Sequence, residues 1–160
     1  MTILTVGVSD MKVSDNPSDT IVTRALGSCI AVVVTDEDAT IAGMLHYQLP
    51  FPRNGARSAS NGNPYMYADS GIPALLRAVM AKGASPDRLI VRLVGGSRIL
   101  DPDGVFDIGR GNYLAARKIL WRYGVLVAAE DVGGDSWRNV WVDVGNGNVT
   151  VENPTGKYPL

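Results

Sequence analysis

Reactive side chains are scarce in this chain: among its 160 residues there is one cysteine and one histidine. A single cysteine excludes an internal disulfide and suits a reducing compartment, so a cytoplasmic location is expected. One Cys and one His also fall short of the four N or S ligands of a structural zinc site, and neither a metal nor a cofactor is expected. Long hydrophobic runs are missing too. The most apolar stretches, Cys29–Val34 and Gly124–Ala129, are far shorter than the roughly 20 residues that cross a bilayer. The opening MTILTVGVSDMKVSD has no basic segment followed by an apolar one, so neither a secretory signal nor membrane insertion is expected. Charge of either sign is dispersed: 15 basic and 16 acidic residues leave a net charge of −1. Binding to nucleic acid needs a concentrated basic face and is not expected.

What remains describes an ordinary globular chain, 46% hydrophobic and 19% charged. Its length suits one domain spanning residues 1–160, able to bury roughly 70% of its unfolded surface without staples. Strand patterns dominate the first third. Thr2–Val8 alternates polar and apolar residues, and the turn cluster Ser14–Asp19 ends it. Ile21–Ala25 and Ile30–Thr35 are β-branched strands separated by Gly27-Ser28-Cys29. The polar turn Asp36-Glu37-Asp38 leads into a strand at Thr40–Tyr47, which Pro50 and Pro52 stop. The stretch from Phe51 to Pro64 is rich in Gly, Ser, Asn and Pro and reads as a surface loop.

The period then changes. Ile72, Leu75, Leu76, Val79 and Met80 fall on one helical face, with Asp69 or Ser70 as cap, Pro73 in the first turn and Gly83 as the stop. Arg88–Val94 is a strand running into Gly95-Gly96-Ser97. Asn112–Tyr123 is a second helix, and Val125–Glu130 a further strand. Val140, Val142 and Val144 alternate toward Asn146-Gly147, with Val149 and Val151 beyond, which predicts a hairpin whose two turn residues take positive φ. Trp137 and Trp141 are expected in the core. Strands with two helices inserted late give an α+β fold with mixed sheets.

Chemistry, if there is any, rests on Cys29 and His46. Cys29 follows Gly27-Ser28, whose backbone freedom can leave amide N–H groups bare beside the thiol to receive an oxyanion. The plain alternative is a small buried hydrophobe at a strand start. His46 lies near the end of the Thr40–Tyr47 strand. If that strand forms a hairpin with Ile30–Thr35, His46 returns to the end where Cys29 sits, and the imidazole can hold the thiol as thiolate. The alternative is a polar side chain at a sheet edge. Thr23, on the preceding strand, can orient the ring through its hydroxyl or can simply pack.

Two stretches carry a resemblance. Thr23-Arg24-Ala25-Leu26-Gly27-Ser28-Cys29-Ile30-Ala31-Val32 and Gly43-Met44-Leu45-His46-Tyr47-Gln48-Leu49-Pro50 resemble the signatures of the CheD family of chemoreceptor glutamine deamidases. Tyr67-Ala68-Asp69, Gly83-Ala84, Gly95-Gly96, Ile108-Gly109, Asn112 and Asp131-Val132-Gly133-Gly134 continue the match. The resemblance implies an α/β sandwich with mixed sheets, related to a bacterial toxin deamidase domain. It implies hydrolysis of glutamine side chains on chemoreceptor helices, with Cys29 as nucleophile, His46 as base and acid, Thr23 as the orienting residue, and Gly27 and Ser28 as backbone support. A CheC-type phosphatase is the implied partner. Arg53 and Arg57, in the loop just beyond His46, are expected to help hold the substrate helix. Ser97, Ser136-Trp137-Arg138 and Gly145-Asn146-Gly147 depart from the family pattern and leave the trio untouched. A non-catalytic adaptor that binds the receptor or the phosphatase is the rival expectation.

Overall fold

The computed structural model describes residues 1–52, 62–99 and 107–160. Among the described residues ten strands run in the order β1 (Thr2–Thr5), β2 (Asp10–Ser14), β3 (Asp19–Leu26), β4 (Ile30–Asp36), β5 (Ile41–Tyr47), β6 (Ile90–Gly95), β7 (Val127–Val132), β8 (Arg138–Asp143), β9 (Val149–Asn153) and β10 (Gly156–Pro159). Two helices, α1 (Ala68–Lys82) and α2 (Ile108–Arg122), flank β6 in sequence. The first sheet has the order β1-β3-β8-β9-β10 and the second β2-β5-β4-β6-β7. Each is mixed, with one parallel pair, β1 with β3 and β6 with β7. The fold is α+β, as the strand-rich pattern implied.

Three layers explain the apolar patterning. Alternate residues of β4 and β5 (Ala31, Val33, Ala42 and Met44) pack with Ile21, Leu26, Val140, Val142 and Val151 between the two sheets. The intervening residues (Ile30, Val32, Val34 and Leu45) face Ile72, Leu75 and Val79 of α1 and Ala116 and Leu120 of α2. All seven residues of β4 and all seven of β5 are buried. A strand covered on both faces reads as a continuous apolar run rather than an alternating one. The expected hairpin is present: β4 pairs antiparallel with β5, and Ala31 stands opposite His46.

Several details differ from the sequence reading. β2 was not anticipated, because Asp10–Ser14 is a half-buried edge segment whose strand form comes from pairing with β5. β10 is likewise a short edge strand, held by β9. Tyr67, not Asp69 or Ser70, is the N-cap of α1 and offers no side-chain bond, while Gly83 ends the helix in the left-handed conformation. The β8–β9 connection is wider than a two-residue turn. Asp143 accepts from the Gly147 amide at 2.8 Å, and Gly147 alone of the Asn-Gly pair has positive φ. Neither Trp137 nor Trp141 is core: Trp137 is exposed, and Trp141 is half-buried between Arg24 and Lys157, whose cations lie 6.0 and 4.7 Å from its ring centre.

The turn read from Asp36-Glu37-Asp38 begins with a structural carboxylate. Asp36 is buried at the end of β4 and accepts from the amides of Ala39 and Ser85 and from Arg88 Nε and Nη2. Burial alone would raise its pKa. The Arg88 hydrogen bonds, followed by the two amides, outweigh burial and hold it below the ordinary carboxylate value. Asp36→Asn keeps the shape, removes the charge and replaces one accepting oxygen with a donor. Urea unfolding is expected to register a loss of about 2 kcal/mol, and an unchanged midpoint would show that the carboxylate carries no stability.

Candidate functional site

The segment between β3 and β4 is held by its carbonyls. Just before it, β3 is irregular: its register with β8 shifts between Thr23 and Leu26, and Ala25 takes a left-handed φ of 59°. Then the Gly27 carbonyl accepts from the Ser97 amide, the Ser28 carbonyl from Asn112 Nδ2, and the Cys29 carbonyl from the Gly96 amide, each at 2.9 Å. The strand end that supplies two of those amides must approach very closely. A Cβ on Gly95 would stand 2.2 Å from the Cys29 oxygen, and Gly95 has a φ of +118°, so only glycine fits there. The three carbonyls are thus committed, and the Cys29 backbone N–H interacts with its own thiol.

His46 comes up from β5 on the intersheet side. Its Nδ1 is 2.8 Å from Thr23 Oγ1, which is also 2.8 Å from the Val6 carbonyl. A carbonyl oxygen can only accept, so the single hydroxyl proton of Thr23 goes to Val6. The hydroxyl oxygen must then accept from Nδ1–H. This fixes the tautomer and leaves Nε2 as a bare lone pair, buried and without a hydrogen-bond partner among the described residues.

Cys29 shares that face. It precedes Ala31 by two residues, Ala31 is the cross-strand partner of His46, and Cys29 packs against the intersheet core. It is therefore the diagonal neighbour of the histidine, within reach of a long side chain. No hydrogen bond joins Sγ to Nε2 in this structure.

The electrostatics correct one expectation. Burial lowers the imidazole pKa to about 4 and outweighs the opposing pull of the Asp10 carboxylate, while burial pushes the half-buried thiol up. At neutral pH the two groups are thus a neutral thiol and a neutral imidazole, not the thiolate pair anticipated from sequence. Desolvation disfavours both charged forms together.

Thr23, Cys29 and His46 are brought onto one inner surface, and Gly27 and Ser28 form the turn, tied to the frame by their carbonyls. Arg53 and Arg57 lie outside the described residues. Asn112 was not singled out as a site residue, although it is fully buried. Its side chain spends both Nδ2 protons on the Ser28 and Gln48 carbonyls, at 2.9 and 2.7 Å, and its main-chain carbonyl accepts from the Tyr47 hydroxyl at 2.6 Å. One amide thus joins the cysteine turn to the end of the histidine strand. The available signal was an asparagine among glycines at a helix start, a place where a short amide is tolerated for its side-chain bonds rather than its propensity. A cavity of about 350 Å³ lies beside this turn, lined by Gly96, Arg98, Asp107, Arg110, Tyr113, Val132, Gly133 and Gly134. Cys29 and His46 are not among its walls.

The depressed imidazole pKa has a stability consequence. Between the ordinary value of 6.5 and the folded value of about 4, the unfolded chain binds a proton that the folded chain refuses, so stability falls as the pH falls. The loss is fully avoided above the ordinary value. Wild-type protein is expected to lose about 2 kcal/mol more than His46→Gln between pH 7 and pH 5 in paired urea titrations. Parallel curves for the two proteins would mean that the buried ring titrates normally.

Comparison with known proteins follows the geometry. A family model described as CheD chemotactic sensory transduction matches residues 48–153. A protein of Solibacter usitatus named probable chemoreceptor glutamine deamidase CheD is 47% identical over 148 residues, covering 92% of this chain and 86% of that one. One from Anaeromyxobacter dehalogenans, named probable chemoreceptor glutamine deamidase CheD 2, is 41% identical over 160 residues and covers all of both chains. The crystal structure of the Neisseria meningitidis protein NMB0706 superposes with a TM-score of 0.48 at 15% identity, over 84% of this chain and 63% of that one.

Proposed function

This chain belongs to the CheD family, and we propose that it is a protein-glutamine deamidase that converts glutamine side chains of chemoreceptors to glutamate by a thioester route. Its sequence relatives supply the reaction class and the substrate class. The observation that carries the residue assignment is the locked imidazole, whose Nε2 is left unprotonated and without a hydrogen-bond partner among the described residues, on a strand that pairs with the one Cys29 precedes.

In the proposed sequence of steps, the Cys29 sulfur attacks the carboxamide carbon as its proton passes to His46 Nε2. Because the free thiol and ring are both neutral, this transfer accompanies C–S bond formation and does not precede it. A rotation of the half-buried thiol closes the gap to Nε2 at this stage. The tetrahedral oxyanion is received by backbone amides of the 27–29 turn, with the Cys29 N–H nearest the sulfur. His46 returns the proton to the departing nitrogen, and ammonia leaves with the C–N bond electrons. Water, deprotonated by the same Nε2, attacks the thioester carbon. The C–S bond breaks with its electrons going to sulfur, which takes back the proton held at Nε2; glutamate is released and the free thiol is restored. Throughout, Thr23 accepts from Nδ1–H and stabilises the transient imidazolium, with the Asp10 carboxylate acting on the ring by its charge.

The resemblance adds a CheC-type phosphatase as partner and a cytoplasmic setting, and both belong to this proposal. The adaptor alternative draws support from the raised thiol pKa, which by itself suits an inert cysteine. Mass spectrometry of chemoreceptor fragments separates the two. Cys29→Ala is expected to abolish the amide-to-acid mass change, and Thr23→Val to lower kcat roughly 10- to 100-fold with Cys29 and His46 intact. The acid limb of kcat/KM is expected near pH 4, where Nε2 becomes protonated and can no longer accept, and not near the ordinary histidine value. Full deamidation by Cys29→Ala would remove the enzymatic assignment.

A further inference from the structure

The α2 helix is amphipathic twice over. Asn112, Ala116 and Leu120 point into the fold, as an ordinary helix on a sheet requires. The opposite face repeats at helical spacing too: Leu114, Arg117, Lys118, Trp121 and Arg122 stand at i, i+3, i+4, i+7 and i+8, and all five are exposed. Trp121 is 77% and Leu114 48% exposed, and Tyr123 and Leu126 in the turn after the helix are exposed as well. Trp121 is thus not a lone exposed side chain but one of four exposed apolar side chains, with Leu114, Tyr123 and Leu126, on this helix and the turn that follows it. The charge is equally one-sided. All four ionisable acid–base side chains of α2 other than Tyr113, namely Arg110, Arg117, Lys118 and Arg122, are cationic, in a chain whose net charge is −1.

We infer that this outer face of α2 is a docking surface for an acidic helical segment of the protein substrate, close in sequence to the glutamine that is hydrolysed. The inference rests on the deamidase reading and names how that substrate is held. Charge complementarity selects an acidic occupant. The shape of the patch selects a rod over a plane. Leu114 and Trp121 are two turns apart on one line, with Lys118 between them and Arg122 beside the tryptophan, whereas acidic groups border the line: Glu130, which accepts from Tyr113 and pairs with Arg117, and exposed Asp87, which shares a small cavity with Gly124 and Leu126. An anionic bilayer would press on those carboxylates together with the basic residues. A helix about 10 Å wide lies along the line with its acids over Lys118 and Arg122 and an apolar side chain over Trp121. The same helix also ends at the reaction centre, since Asn112 in its first turns bonds the carbonyl next to Cys29. Docking along α2 therefore places a substrate segment within about 20 Å of the thiol.

The test uses the full-length protein and a purified cytoplasmic chemoreceptor fragment, with ammonia release as the readout. Trp121→Ser and the double variant Lys118→Glu/Arg122→Glu are surface changes, and Lys118→Gln/Arg122→Gln serves as the milder form should charge reversal impair folding. Each is expected to raise KM about tenfold or more with kcat held within about twofold, because the interaction is lost equally from ground and transition states. Added salt is expected to bring wild type toward the charge variants but not toward Trp121→Ser. Unchanged KM in an active protein overturns the docking surface alone. So does a KM effect seen only when anionic phosphatidylglycerol vesicles are present, which would assign the face to lipid. A wild-type protein that releases no ammonia from the fragment overturns the deamidase reading and this inference together.

Discussion

One hydroxyl proton organises the centre of this molecule. Thr23 belongs to the first sheet and His46 to the second, and the hydrogen bond between their side chains crosses the apolar layer between those sheets. Because the Thr23 proton is given to the Val6 carbonyl, the hydroxyl has only a lone pair to offer the ring. The ring answers with Nδ1–H, and the opposite nitrogen is left as a base. A tautomer that is ambiguous in an isolated histidine is thus decided by a carbonyl on a different segment. Packing the sheets at any other offset would break this chain of donors and acceptors, so the intersheet core and the state of the imidazole are set together.

The same burial that orients the ring sets its acidity. An enclosed site with no carboxylate among the described residues bonded to the imidazole resists charge, which lowers the base and raises the thiol. Such a pair stores no ion pair at rest. In the proposed chemistry, charge appears only when a substrate oxyanion forms and nearby amides receive it. The surrounding frame is built to present those amides. Gly95, Gly96 and Ser97 approach from β6, Asn112 from α2, and every carbonyl of the 27–29 turn is spoken for. Electrostatic help of this kind requires that the donors do not relax, and a turn pinned at three consecutive residues meets that requirement.

Much of the fold was legible from local pattern. The apolar runs in β4 and β5, the helical period of α1 and the glycine at its end each reflect a local rule that tertiary packing here reinforces. The edge strands β2 and β10 were not legible, because four or five half-exposed residues become a strand only when a neighbour supplies the hydrogen bonds. Trp137 and Trp141 read as core because large aromatics bury well on average, yet Trp141 is retained at the surface between two cations. In the site, Cys29 and His46 stood out by being unique, and the family signatures joined Thr23 to them. Asn112 was hidden, since its role comes from two carbonyls that lie 84 and 64 residues away.

The central strands, the helix faces and the identity of the lone thiol and imidazole follow from the amino-acid sequence by itself, through propensity, periodicity and composition. The protonation of that imidazole, the neutrality of the thiol beside it and the carbonyl clamps around the turn were decided only by tertiary structure. Each depends on how far a group is removed from water and on which distant donor or acceptor meets it, and neither quantity exists along a chain until it has folded.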